Sequence, residues 1–295
     1  MQTAKLTIYF IPSPRRINWT TPTTLARTIL TNKLARKRRF MGHVNIELEY
    51  EENGEKKHYL TGMAAQNLNA VPLILKEKMG LGILFHSFAG KLESKEELIP
   101  ELTGYFKEGN ESINFIEYEI DLAAAKRVET YLHIFKEKKL DRYYGLFNSP
   151  LHAEGGGCSA FGASVLEVAG LLNQDHKHHW TRVFQVPHRL VGAPLTKNKT
   201  SFFKLLLTQQ DWAEKDEDFT EIFFWDPDLM HLWVENQLKE DKYEIKNKEK
   251  ARGIFISAVR EQEYAENIFK NGVANDLIQS IAPDLHKKTN RDKYL

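Results

Sequence analysis

The stretch Gly42-His43-Val44-Asn45-Ile46-Glu47-Leu48-Glu49-Tyr50-Glu51-Glu52-Asn53-Gly54-Glu55-Lys56-Lys57-His58-Tyr59-Leu60-Thr61-Gly62-Met63 decides how the fold is read. Its first half alternates apolar and polar residues with a period of two, as a strand with one buried face requires. Asn53-Gly54 is the dipeptide that tolerates positive φ at both central positions of a two-residue turn, so the second half returns as the partner of a hairpin. A two-residue loop also fixes the register: position 43 faces roughly position 64, and His58 faces Glu49 at the closed end. The stretch therefore predicts an antiparallel sheet, with His43 near the open end of its first hairpin.

Working outward, residues 5–11 alternate with β-branched and aromatic residues and read as a strand ended by Pro12 and Pro14. Thr21-Pro22 supplies the cap and first-turn proline of a helix within 20–34. The run Arg36-Lys37-Arg38-Arg39 after it is either a solvated loop or an anchor for a phosphate or acidic group. Residues 81–88 and 114–120 look like further strands of the sheet. Asp121 caps a helix running to about Phe135, with Leu122, Ala125, Val128, Leu132 and Phe135 on one face. A loop through Tyr143 to Pro150 then leads to Glu154-Gly155-Gly156-Gly157-Cys158 and an amphipathic helix through Leu172. Beyond it, 202–212, 228–238 and 261–278 are helix-like, and 239–252 reads as a charged, solvated connection. The expected class is α+β: an antiparallel sheet with packed helices over residues 1–172, and an α-rich C-terminal extension over 173–295.

Composition narrows the function. The chain has 295 residues, 42% of them apolar, enough to bury a sizeable core. Its 41 lysines and arginines almost cancel 40 aspartates and glutamates, so no global field draws it to nucleic acid or anionic membranes. The opening apolar run is too short for a signal peptide and is broken by Pro12. No later stretch approaches the roughly 20 apolar residues of a membrane span. These readings, with a single cysteine and therefore no internal disulfide, point to a cytoplasmic protein with no stable membrane insertion. No Walker loop, dinucleotide fingerprint, Gly-x-Ser-x-Gly elbow or Cys-x-x-Cys pair is present, which argues against nucleotide hydrolysis, hydride transfer, serine hydrolysis and zinc ribbons. His176, His178 and His179 lack the spacing that sets metal ligands on one helical face, so no metal is expected there. The aromatic-dense residues 223–233 read as packing of the C-terminal half onto the core.

Cys158 is where chemistry is expected. A lone thiol at the first turn of a helix, entered through glycines, is favourably placed for a thiolate, and its backbone N–H could serve an oxyanion hole. A thiol nucleophile needs a histidine to take its proton, and usually a polar residue to orient that histidine. The order here is histidine on an early strand and cysteine on a later helix. With Gly42-His43-Val44-Asn45-Ile46-Glu47-Leu48, the strand and helix across 114–135, Tyr143-Tyr144-Gly145-Leu146-Phe147-Asn148 and Gly156-Gly157-Cys158-Ser159-Ala160-Phe161, the chain resembles circularly permuted, papain-like members of the NlpC superfamily. The similarity is to the lecithin retinol acyltransferase-like and YaeF-like thiol hydrolases and covers residues 40–172 at most.

That resemblance implies Cys158 as nucleophile, His43 as general base, and a third polar residue on the strand paired with the histidine strand. Ala64 and Ala65 occupy the expected place, so Gln66 is the nearest candidate, with Thr61 on its other side and His86 on the next strand. The implied activity is hydrolysis or acyl transfer on a peptide, amide or acyl-ester substrate through an acyl-enzyme, without a cofactor. The alternative is a non-catalytic binding or scaffolding protein that keeps a papain-like fold, in which Cys158 is simply a buried packing residue.

Overall fold

The computed structural model describes residues 3–35, 39–108, 113–192, 195–214, 216–248 and 251–259. The helix expected within 261–278 and the basic residues 36–38 lie outside them.

The elements in chain order begin with β1 (Thr3–Ile11), α1 (Pro22–Leu34), β2 (His43–Glu52), β3 (Glu55–Ala65) and the short α2 (Val71–Leu75). They continue with β4 (Phe88–Leu92), α3 (Lys95–Glu108), β5 (Asn114–Asp121), α4 (Leu122–Glu137), β6 (Tyr143–Tyr144) and α5 (Cys158–Ala169). After these come α6 (Gln174–Trp180), β7 (Thr181–Pro187), α7 (Phe202–Leu207), β8 (Phe219–Trp225), α8 (Pro227–Gln237), β9 (Glu244–Lys248) and β10 (Ala251–Ser257). Eight strands form one sheet in the order β6-β4-β3-β2-β1-β5-β10-β9, while β7 and β8 make a separate two-stranded ribbon. Pairing in the large sheet is antiparallel except where β10 lies parallel to β5. The architecture is thus a mixed α and β one around a mostly antiparallel sheet.

The central hairpin forms for the reasons its sequence carries. Asn53 and Gly54 have φ of 53° and 80°, as a two-residue turn with both centres left-handed demands. Asn45 pairs with Gly62 and Glu49 with His58, so His43 projects to the level of Ala64. Val44, Ile46, Leu48 and Tyr50 then share one face with alternate residues of β1 and β5. Against that face pack Val128, Leu132 and Phe135 of α4, Phe161, Val165 and Leu166 of α5, and Met230 and Val234 of α8. Asp121 and Thr21 cap α4 and α1 through their side chains. Opposite, Leu98, Leu102 and Tyr105 of α3 cover Tyr9, Ile11 and Phe115.

Two parts differ from the expectation. Residues 81–88 are not one strand: Leu81–Phe85 form a single 3-10 turn, and the strand starts only at Phe88. Leu81, Leu84 and Phe85 pack instead in a second cluster with Trp19, Phe147, Leu190 and Phe224, and an apolar run of that length does not by itself distinguish strand from turn. Within the described residues after 172, helix does not predominate: four strands stand beside three helices. The 239–252 connection hides β9 and the start of β10, and β10 extends the large sheet with Ile254 opposite Ile116. Its flanking lysines and glutamates masked a strand whose centre is wholly buried. Among the described residues, no helix is long and apolar enough to cross a membrane.

Candidate active site

The loop before α5 makes a tight approach to the edge of the sheet. Gly155 adopts φ of 76°, and a Cβ there would stand 2.1 Å from the Tyr143 carbonyl oxygen, so only glycine lets this loop return against β6. Gly157 is the N-cap and offers no side-chain cap, leaving Cys158 as the first helical residue at the positive end of α5. The sulfur lies 3.9 Å from the Gly42 carbonyl oxygen, and the Tyr144 hydroxyl is 3.8 Å from it. Tyr144 also takes a hydrogen bond from the Cys158 backbone N–H, so one hydroxyl touches both the thiol and the donor beside it.

His43 opens β2 and is in direct charge and hydrogen-bond contact with Cys158. Its Nε2 is 2.7 Å from Oε2 of Glu93, which leaves Nδ1 as the ring nitrogen available to the sulfur. Glu93 follows β4 directly, and its carboxylate also meets Nη2 of Arg39 at 2.5 Å and Nδ2 of Asn45 at 3.4 Å. Arg39 is held by both oxygens of Glu101 on α3, which fixes its guanidinium plane. Thr61 donates to the Glu93 carbonyl oxygen, and the Glu93 N–H reaches Gly62. Gly62 leaves room for this arrangement: a Cβ would stand 2.4 Å from Asn45 Nδ2 and 2.9 Å from the Glu93 carboxylate, so either side chain would have to shift. Cys158, His43 and Glu93 are 5%, 1% and 6% exposed.

Removing water from three ionisable groups at once makes each depend on the others. Burial pushes the Cys158 thiol up, but the His43 charge, hydrogen bonds from His43 and Tyr144, and the Val44 N–H bring it below its ordinary value. Burial and the Arg39 charge press His43 down, yet Cys158 and Glu93 outweigh them and carry it up to about 9. Burial would raise Glu93 as well; His43 and Arg39 instead hold it at about 2. Burial first, and then the adjacent sulfur, keep Tyr144 protonated and able to donate. These shifts run in the direction of moving the thiol proton toward His43, with a carboxylate behind the ring.

Of the expected site residues, Cys158 and His43 are together and Gln66 is not with them. Gln66 is exposed just past β3 and uses its backbone N–H on Ala89. The group on His43 Nε2 is Glu93, one strand further out. A sequence signal for it exists: Ser94-Lys95-Glu96-Glu97 has the spacing of a capping box, and Ser94 and Glu97 do exchange backbone-to-side-chain bonds. That box ends the preceding strand at Leu92 and leaves Glu93 at its tip. Thr61 shapes the site through the Glu93 backbone, and the His86 ring packs edge-on to Phe88. His58 pairs with Glu47 at the closed end. With Glu49, those two bring three ligand-type atoms within 4.8 Å of one another, but Tyr9 and Lys248 already hold Glu47, and Lys95 holds His58. His176 is buried against Trp180 with ring centroids 4.1 Å apart, and burial lowers it to about 4. Arg39, alone of the basic run within the described residues, anchors acidic side chains of this same chain.

A thiolate at a helix N-terminus, a histidine able to carry its proton and a carboxylate that orients the histidine are the parts that nucleophilic attack on a carbonyl needs. Compared with family models, curated proteins and solved structures, the chain matches none.

Proposed function

We propose that the protein is a cysteine-dependent hydrolase or acyltransferase, with a permuted papain-like core and a peptide, amide or acyl-ester substrate. The observation that carries this reading is the shared contact of His43 with Cys158 on one side and Glu93 on the other. In the first step the Cys158 thiolate attacks the carbonyl carbon, and the carbonyl π electrons move to oxygen. The Cys158 N–H, at the positive end of α5, is one donor for that oxyanion. His43 then gives its proton to the leaving nitrogen or oxygen, the C–N or C–O bond breaks, and a thioester remains. An incoming water or acceptor hydroxyl, deprotonated by His43, resolves it. Glu93 keeps the ring oriented and stabilises its positive charge, while Arg39 and Asn45 hold Glu93. A lone thiol with this role suits a reducing compartment such as the cytoplasm.

The Tyr144 hydroxyl stands where the oxyanion donor and the sulfur converge, so a substrate carbonyl must take its place. The burial of the sulfur among Phe161, Val44 and their neighbours equally favours the second reading, a non-catalytic binding or scaffolding protein whose cysteine packs the core. Iodoacetamide labelling across pH separates the two. A nucleophilic Cys158 alkylates well below the ~8.5 of an ordinary thiol, and His43→Gln moves that onset upward. Labelling that begins only above that value, or that ignores His43→Gln, overturns the hydrolase reading. Cys158→Ser should abolish labelling while leaving the thermal transition within a few degrees of wild type.

A further inference from the structure

Charges that cancel over the whole chain do not cancel locally. The first 46 residues contain no aspartate or glutamate, and neither do residues 188–210. These two acid-free stretches carry α1 and α7, which lie against each other. Leu25 of α1 and Leu205, the one buried residue of α7, share a cluster that Ile29 also joins. Thr23 Oγ1 donates to the Thr208 carbonyl at 2.9 Å, and Arg27 Nε donates to the Leu206 carbonyl at 2.8 Å. The two helices therefore run in opposite directions, and the end of α1 falls toward the start of α7.

The outer side of this pair is apolar. Leu207, Leu34 and Phe203 are 76%, 70% and 63% exposed, the three most exposed large apolar side chains among the described residues. Leu34 lies two turns beyond Arg27 on the same face of α1, and Phe203 and Leu207 lie one turn apart on α7. Lys33 and Lys204 are exposed next to them in sequence, as are Lys197 and Lys199 just before α7. Among the described residues, no acidic side chain pairs with Arg27, Lys33 or Lys204.

Single exposed leucines are ordinary, but three such side chains on adjoining helices, flanked by cations without acidic partners, mark a contact surface. The chemistry selects the partner. Nucleic acid would engage the cations and leave the apolar side chains in water. A protein would need a groove matched to their spacing, whereas a fluid bilayer accepts protruding side chains of any spacing. Anionic headgroups take the cations while the boundary beneath them takes the apolar groups.

We propose that the outer face of α1 and α7 docks the protein onto anionic membranes, with Leu34, Phe203 and Leu207 entering the headgroup boundary and Arg27, Lys33 and Lys204 on the headgroups. The docking is peripheral, needs no membrane-crossing helix, and stands whether or not Cys158 turns over a substrate.

The test is co-sedimentation of the full chain with vesicles of phosphatidylcholine alone, and of phosphatidylcholine and phosphatidylserine in equal parts. At low salt the chain should bind the mixed vesicles at least about tenfold more tightly, and high salt should erase most of that difference. Lys204→Gln should weaken binding to the mixed vesicles about fivefold. Phe203→Ser combined with Leu207→Ser should weaken it by at least about tenfold with an unaltered thermal transition, because both side chains already face water. Ile245→Ser, on the β9 edge of the large sheet, is the control and should change nothing. No binding to the mixed vesicles at low salt, equal binding to the two compositions, or a loss in the double variant no greater than in Ile245→Ser overturns the proposal. Self-association of the wild-type chain that the double variant abolishes, without vesicle binding, assigns the face to a second copy and overturns it as well.

Discussion

The two ends of the β2–β3 hairpin carry the same pair of residue types in very different surroundings. At the open end His43 meets Glu93 at 2.7 Å with side-chain exposures of 1% and 6%. At the closed end His58 meets Glu47 at 2.8 Å with 30% and 15%. The distances are alike, so the difference lies in water and in what the second ring nitrogen faces. His58 gives its Nδ1 to the Lys95 ammonium at 2.6 Å, and Glu47 is shared with Tyr9 and Lys248. His43 turns its second nitrogen to a sulfur. The partly exposed pair leans on several partners that water and salt can replace, whereas the pair shut off from water, beside a group with a transferable proton, shifts the protonation of all three.

The largest expected effect comes from breaking the buried pair. Glu93→Gln keeps the shape but removes the charge that offsets His43 and Arg39, and uncompensated buried charges typically cost about 3 kcal/mol. Denaturant melts should show that loss. Thiol alkylation at neutral pH should fall by at least tenfold, because an imidazolium without its carboxylate holds the thiolate less well. The acid limb gives the sign. A carboxylate held at about 2 instead of 4.5 contributes stability that is present above 4.5 and is lost as pH falls through about 2. The wild-type advantage in melting temperature over Glu93→Gln should therefore be full above pH 4.5 and shrink toward pH 2. An advantage that stays constant across that range would mean the carboxylate's charge is not what matters.

Next in size is Gly62→Ala. The added methyl group collides with the Asn45 amide and the Glu93 carboxylate, and overpacking of this kind costs about 1–3 kcal/mol. Because the clash falls on the histidine's partner, alkylation of Cys158 should slow together with the stability loss. Unchanged labelling in a destabilised variant would separate the geometry of Glu93 from the reactivity of the sulfur. Tyr144→Phe is gentler. It removes one donor to the sulfur, worth about 1 kcal/mol, so the pH at which labelling begins should rise by less than one unit. An onset that falls would show that the hydroxyl acts chiefly as a cover.

Much of this geometry was legible in the sequence, and the parts that were not share a cause. Asn53-Gly54 sets the hairpin register, Asp121 and Thr21-Pro22 set helix starts, and Gly157-Cys158 sets the helix that presents the thiol, because each is a local rule acting within a few residues. Glu93 escaped because it depends on where β4 ends. The apolar residues 81–85 looked like that strand, although Leu81 and Phe85 belong to a different cluster. Gln66 stood nearest because the resemblance looks to the strand paired with that of His43, whereas Glu93 reaches the ring from one strand further out. The Arg39 contact with Glu93 and Glu101, and the parallel entry of β10 beside β5, join residues far apart in the chain and leave no periodic trace. Tyr144 was visible only as one aromatic residue in a loop, since its contact with Cys158 follows from the Gly155 turn.

The smallest expected effect is the counterpart at the closed end. Glu47→Gln removes a carboxylate whose burial penalty is offset by bonds from Tyr9 and His58 and by the Lys248 charge, which hold it below its ordinary value. His58 and Lys248 remain 30% exposed, so water and salt replace much of what is lost, and the cost should be about 1 kcal/mol or less. Raising the salt concentration should shrink this difference, because exposed charges are screened, and should leave the Glu93→Gln difference nearly intact. Cys158 alkylation should match wild type at every pH, since neither His58 nor Glu47 contacts the sulfur among the described bonds. Equal salt sensitivity at the two ends would remove burial as the reason they differ, and a labelling change on Glu47→Gln would show that charge at the closed end is felt along the hairpin.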